Sequence, residues 1–241
     1  MLSIRGISKS YQKGSIKAVD GVDLEIRDGE IFGFLGPNGA GKTTTIKMVV
    51  GLLRPDSGHI TVDGIDVWSE PIAAKTRVGY VPDEPDLYQK LTGLEYLNFI
   101  ADVWRVPAGV RATRMNELLD TFELRSAIGD LVQGYSHGMK QKLAVIAAML
   151  HDPSLFILDE PMTGLDPRAS HLLKELMRQH CDRGKAVFFS THILEVAERL
   201  CDRLAIINRG RIVAVGTMAE LRGQAAGQSS LEDIFLELTE K

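Results

Sequence analysis

Hydrophobic and polar positions alternate at the start of the chain. Leu2, Ile4 and Ile7, then Val22, Leu24 and Ile26, fall at the spacing of half-buried strands, with Asp28-Gly29 as turn residues after them. This predicts a leading antiparallel sheet. The apolar run Ile31–Leu35 predicts a short buried strand that feeds a glycine loop and then a helix over Lys42–Leu52, stopped by Arg54-Pro55-Asp56-Ser57-Gly58. From about Leu91 to Gly134 the apolar positions take helical spacing, with Leu94, Leu97 and Ile100 and then Met115, Leu118, Leu119 and Phe122. That stretch reads as a helical insertion. Beyond it helices and strands alternate: helix Ser136–Leu150, strand Leu155–Leu158, helix from about Ala169 to Cys181, strand Ala186–Ser190, helix Ile193–Leu200 and strand Leu204–Asn208. Short apolar strands separated by helices predict a mostly parallel sheet covered on both faces, an α/β fold. After a small, polar stretch from Gln224 to Ser230, Leu231, Ile234, Phe235 and Leu238 predict a docked amphipathic helix. No repeat or low-complexity tract interrupts this order.

Composition narrows the function classes. The 241 residues are 44% hydrophobic and 25% charged, an ordinary globular balance with one substantial core. A net charge of −4 provides no basic field for nucleic acid, so no nucleic-acid partner is expected. Cys181 and Cys201 have neither zinc-site nor disulfide-framework spacing and read as buried thiols in a reducing cytoplasm. The longest strongly apolar run, about Leu143–Leu150, is far short of the roughly 20 residues that cross a bilayer. No signal-peptide pattern opens the chain, and direct membrane insertion is not expected.

Two segments carry chemistry in their residue types. Gly36-Pro37-Asn38-Gly39-Ala40-Gly41-Lys42-Thr43 fits G-x-x-x-x-G-K-[ST], the phosphate-cradling loop. Its glycines let successive backbone N–H groups turn inward around an anion, and the following helix adds its positive end. In that pattern Lys42 reaches the β- and γ-phosphates, Thr43 ligates magnesium and Thr44 bonds the α-phosphate. Asp159-Glu160 follows four apolar residues, as a carboxylate pair does at the C-terminal end of a buried strand, where open α/β sheets bind ligands. Asp159 suits a magnesium ion, and Glu160 suits orienting and activating an attacking water. Taken alone, such a pair is more often a solvated turn; beside the phosphate loop it reads as functional.

The order of these segments with two others resembles the ATP-binding domain of ABC transporters, and the resemblance covers essentially the whole chain. Tyr135-Ser136-His137-Gly138-Met139-Lys140-Gln141 is similar to the family's Leu-Ser-Gly-Gly-Gln signature; Ser136 and Gly138 match, and His137 and Met139 depart. Ser190-Thr191-His192 stands where the family places a histidine that touches the γ-phosphate. Gly164-Leu165-Asp166 matches a loop that crosses the dimer interface, and Tyr11 lies where an aromatic stacks on adenine. Val78-Gly79-Tyr80-Val81-Pro82 resembles the run leading to a glutamine that couples the catalytic site to the membrane partner; here that position is Asp83, which cannot donate an amide hydrogen bond and is assigned to water or magnesium. The ending Leu231–Leu238 looks like that of bacterial exporter ATPase subunits.

The resemblance implies a P-loop NTPase fold spanning 1–241: a nucleotide-binding core of 1–82 and 136–217 with an N-terminal antiparallel β-subdomain, an inserted α-helical subdomain over 83–135, and a helical tail over 218–241. It implies ATP and Mg2+ as ligands, and a homodimer or a heterodimer with a second ABC ATPase, closing head to tail around two nucleotides. It also implies an integral membrane permease as partner, export as the direction, and a place on the cytoplasmic face of the membrane, held by that permease. In these terms Lys42, Glu160 and His192 are catalytic, Thr43, Asp159 and Asp83 hold the metal, and Tyr11, Gly36–Thr44, Ser136, Gly138 and Asp166 bind nucleotide. Two alternatives stand beside this reading: a soluble ABC ATPase serving a cytosolic assembly or translation factor, and a P-loop kinase acting on a small molecule.

Overall fold

The computed structural model describes residues 1–224 and 230–239. Strand β1 (Leu2–Tyr11) pairs antiparallel with β2 (Ile16–Ile26), and Leu2, Ile4 and Ile7 lie opposite Ile26, Leu24 and Val22. All six are buried, so the alternating positions share one inward face, as period-2 side-chain geometry requires. The chain next forms β3 (Ile31–Leu35) and α1 (Lys42–Val49) in the second layer, then returns to the first sheet as β4 (Ser57–Val62) and β5 (Ile65–Asp66). The first sheet runs β2-β1-β4-β5. Helix α1 is shorter than its sequence suggests: Gly51 adopts φ +70° and the Leu52 and Leu53 amides both turn back to the Lys47 carbonyl, which ends the helix before Leu52.

Helix α2 (Pro71–Thr76) leads into β6 (Val78–Val81), and the helical region follows as α3 (Gly93–Val103) and α4 (Ala108–Thr121). Then come α5 (His137–Met149), β7 (Leu155–Leu158), α6 (Pro167–Asp182), β8 (Ala186–Thr191), α7 (Leu194–Leu200) and β9 (Arg203–Asn208). Strand β10 (Arg211–Gly216), helix α8 (Met218–Gln224) and helix α9 (Leu231–Thr239) complete the order. The second sheet runs β10-β9-β3-β8-β7-β6 and is parallel from β9 to β6, with β10 antiparallel at its edge. Every residue of β3, β7 and β8 is buried, which explains their unbroken apolar runs: both faces of the sheet are covered.

The helical region has no separate core. Tyr96, Leu97, Leu118, Leu119 and Phe122 belong to one apolar cluster with Leu143, Phe156, Leu158 and Phe189 of the α5 and sheet layers. Helix α9 docks as expected, with Leu231 and Ile234 buried against Leu35, Leu204 and Ile206, and with Asn208 Nδ2 donating to the Thr239 carbonyl at 3.1 Å. The polar stretch between Gln224 and Ser230 falls, apart from its ends, outside the described residues, as do 240 and 241.

Candidate functional site

The topology delivers the singled-out residues to one sheet edge. Strands β3, β8, β7 and β6 are neighbours in that order and all parallel, so their C-terminal ends lie side by side. Leu35 pairs with Thr191, Leu158 with Phe189 and Val81 with Leu158. Immediately past these ends come Gly36–Thr43 from β3, His192 from β8, Asp159-Glu160 from β7 and Asp83 from β6. This is where an open α/β sheet holds ligands.

The glycine loop curls around a cavity of about 200 Å³ lined by Pro37 to Thr44 together with Ala18, Asp83 and Glu160. Two of its glycines are structural necessities. A Cβ on Gly36 would lie 2.5 Å from the Ile207 carbonyl oxygen, and one on Gly41, whose φ is +111°, would lie 2.4 Å from that of Ala18. Gly41 caps α1 with no side-chain acceptor, so the first amides of that helix have no protein cap and suit an anion. Lys42 is almost fully buried; its Nζ donates to the Gly36 carbonyl at 2.7 Å and lies 3.4 Å from Glu160 Oε1. The lysine charge is thus met by the loop's own carbonyl and by the neighbouring carboxylate.

The carboxylates form a connected group. Asp159 is 1% exposed and accepts a short hydrogen bond from the Ser190 hydroxyl, whose oxygen in turn accepts from the Glu160 N–H at 3.0 Å. Glu160 Oε2 lies 2.9 Å from His192 Nδ1 and accepts the His192 N–H at 3.3 Å. Glu160 takes a left-handed backbone (φ +47°), uncommon for a residue with a side chain and a sign of local strain at the head of the 160–166 loop. The Asp83 carboxyl is pushed above its ordinary value, first by burial and then by repulsion from Asp159, Glu160 and Glu84, against a smaller opposing pull from His137. Burial, with Asp159 and Asp83 adding to it, also drives the Tyr80 hydroxyl far above its usual range. Among the described residues no group of three or more carboxylate, histidine or cysteine side chains forms a metal site by itself, so a cation here would need phosphate and water oxygens as well. The Thr43 hydroxyl and the Asp159 and Asp83 carboxylates are hard oxygen donors, and their small number fits Mg2+, which takes its remaining ligands from phosphate and water.

The remaining predicted residues stand outside the cradle. Ser136 caps α5, its Oγ accepting from the Met139 N–H at 3.2 Å, and neither Ser136 nor Gly138 lines the loop cavity. Asp166 caps α6 by accepting from the Ala169 N–H at 2.8 Å, and its carboxylate lies 3.7 Å from Lys142 Nζ. Tyr11 is exposed at the end of β1, opposite Ile16, and does not line the cavity either. Ser190 is the contributor that sequence reading passed over as a mere neighbour of His192. A hydroxyl ending the otherwise apolar run Ala186–Phe189 was the available signal, because a fully buried polar group demands a partner.

A second cavity, of about 330 Å³, opens between the core and the helical region, lined mainly by Leu52, Tyr80, Leu87, Tyr96, Ile100 and Trp104.

Comparison with known proteins agrees with this architecture. The family model described as "ABC transporter" matches residues 19–163. The linearmycin resistance ATP-binding protein of Bacillus subtilis is 38% identical over 232 residues, 96% of this chain and 74% of its own. The Nod factor export ATP-binding protein I of Ralstonia nicotianae is 39% identical over 221 residues, 92% of this chain and 68% of its own. Among solved structures, an ATP-binding subunit of an ABC transporter superposes with a TM-score of 0.94 at 35% identity, covering 99% of both chains. A dimeric ATP-binding cassette in a post-hydrolysis state, bound to ADP and Pi, superposes with a TM-score of 0.80 at 26% identity over 90% of this chain and 99% of its own. The match, together with a phosphate loop, a carboxylate pair and a capped signature helix set around one parallel sheet, shows that this chain belongs to the ABC transporter ATP-binding family and is an ATPase cassette that binds ATP with Mg2+.

Proposed function

We propose that this chain is the ATPase subunit of an exporter, closing head to tail with a second copy or a related ATPase around two Mg-ATP and driving a separate transmembrane permease. The observation that carries the reading is the half-built site. The phosphate loop, Asp83 and Glu160 surround one side of a cavity that Ser136 and Gly138 do not reach, while those two residues open a helix whose N-terminus suits an anion. A neighbour's Ser136 and Gly138 would complete each cradle. In that arrangement the loop amides, Lys42 and Thr44 bind the phosphates, Thr43, Asp159 and Asp83 hold the metal, and Tyr11 stacks on the base. Bound Mg2+ neutralises phosphate charge. Glu160 accepts the proton of the attacking water, His192 orients Glu160 and reaches toward the γ-phosphate, and Asp166 crosses to the partner.

The reading of a permease rests on the second cavity. Tyr88 is 59% exposed and makes an edge-to-face contact with the exposed Phe99, 5.4 Å between centroids, beside the cavity-lining Tyr96. Exposed aromatic residues rimming an apolar groove mark a partner surface. Leu87 is buried in the groove wall. Export is supported by the Nod factor export relative. Among the described residues no helix is long and apolar enough to cross a membrane. In this reading the permease would hold the subunit at the cytoplasmic face.

Glu160→Gln tests the reading. The variant keeps size and hydrogen bonding but loses the base, so hydrolysis should fall by about 100-fold or more. Unhydrolysed ATP then stabilises the dimer by mass action. Light scattering should show a dimer with ATP, a monomer with ADP, and a monomer again when Ser136→Arg is added. A monomer at saturating ATP, with the permease present or absent, rejects the shared site.

A further inference from the structure

His137, one of the two departures in the signature element, has a definite partner in the chain's own fold. Its ring lies against the bare backbone of Gly164: a Cβ built there would sit 2.2 Å from His137 Cδ2 and 2.6 Å from Nε2. Gly164 has φ +76°, a conformation that itself favours glycine. The contact continues along the start of α5. A Cβ on Gly138 would lie 3.2 Å from the Gly164 carbonyl oxygen, and Lys142 Nζ lies 3.7 Å from Asp166. The loop touched in this way is short and tied to the catalytic end of β7. Thr163 N–H donates to the Glu160 carbonyl at 3.2 Å and Leu165 N–H to that of Met162 at 3.3 Å, so a push at Gly164 reaches Glu160 through two tight turns. Gln141, one helical turn further along the same face of α5, is fully buried with neither amide atom partnered.

We infer that His137 is a positioning residue that keys the Ser136–Gly138 element to the 160–166 loop of its own chain. This rests on the shared-site reading above. The phosphate-facing element that a subunit offers its neighbour and the loop leaving its own Glu160 then move together, so closure on one nucleotide is felt at the other. The ring occupies the space that a side chain at residue 164 would need.

A double-mutant cycle on the full chain tests this through steady-state ATPase kinetics. Gly164→Ala should lower kcat by about tenfold with little change in KM, because the methyl displaces the ring and, with it, the loop. His137→Ala should cost less. The double variant should lose markedly less than the product of the two single losses, since the methyl fills the vacated space. The strain of alanine at φ +76° is present in both backgrounds and cancels in the cycle. Losses that simply multiply in the double variant overturn the inference. If Gly164→Ala does not fold, hydrogen exchange on His137→Ala decides: amides of Gly164–Asp166 should exchange faster than in the parent while those of β7 stay unchanged, and unchanged loop exchange overturns the proposal. The Glu160→Gln control separates the two levels. A monomer there at saturating ATP rejects the shared-site reading, whereas an ATP-dependent dimer with a multiplicative cycle rejects only the role of His137.

Discussion

Asp83 shows how one side chain alters the chemistry of a shared scaffold. It lines the phosphate cavity and its carboxyl is raised by burial and by Asp159, Glu160 and Glu84, so its ionised form repels its neighbours. For a carboxyl raised in the folded state, the associated stability is present at acid pH and is lost as pH rises through its folded value. Asp83→Ala should consequently raise the melting temperature of the nucleotide-free, magnesium-free protein more on the alkaline side of that titration than on the acid side. It should also reduce permease-stimulated turnover more than basal turnover, because this residue ends the β6 segment that carries Tyr80 from the second cavity to the catalytic carboxylates. Equal loss of both activities would make Asp83 a catalytic ligand with no coupling role.

Element boundaries here follow local chemistry wherever a cap is present. Helix α3 starts at a capping box: the Thr92 hydroxyl accepts from the Glu95 N–H at 3.2 Å while Glu95 Oε2 accepts from the Thr92 N–H at 2.8 Å. Helices α5 and α6 are capped by single side chains instead, Ser136 accepting from the Met139 N–H and Asp166 from the Ala169 N–H. The cap and the proposed dimer contact of those residues are difficult to separate by mutation, whereas Thr92 lies away from both. Thr92→Ala should cost about 1 kcal/mol, the usual value of a lost cap. In a chain of this size that lowers Tm by roughly 2–4 °C, read by calorimetry, with kcat unchanged. The helical region shares its apolar cluster with the sheet, so this loss should appear in the single main transition.

Across the molecule, two histidines, one fully and one partly buried, set an acid limit on stability. His180 is fully buried, and His151 is stacked on Trp104 at 4.4 Å between ring centroids; burial pulls both imidazoles down to about 4. The unfolded chain takes up these protons near pH 6.5. Between about 6.5 and 4 the unfolded state therefore binds more protons than the folded state, and stability falls as pH falls through that window. Tm should be level above pH 7 and decline from pH 6.5 to 5, a range above most carboxylate titrations. His151→Phe keeps the stack on Trp104 and should flatten that decline; an unchanged slope would assign the acid sensitivity to other groups.

The amino-acid order was sufficient for the chemistry that depends on backbone dihedrals and near neighbours. Only glycines can curl a loop as Gly36 and Gly41 do, only a hydroxyl or carboxylate caps a helix as Ser136 and Asp166 do, and unbroken apolar runs such as Leu155–Leu158 and Ile31–Leu35 suit a sheet buried on both faces. Strands that are half exposed or lie at an edge left no such mark: β4 buries just Ile60 and Val62, and β10 only Gly216. Strand β4 depends on pairing with β1, distant in sequence, and β10 on the edge hairpin it forms with β9. Long-range approach likewise decided that Ser190 joins Asp159 to Glu160, that Glu160 holds both Lys42 and His192, and that the His137 ring rests on Gly164. Residues 27 (His137 and Gly164) to 118 (Lys42 and Glu160) positions apart meet there because parallel strand order, which no local pattern encodes, brings the ends of β3, β8, β7 and β6 together.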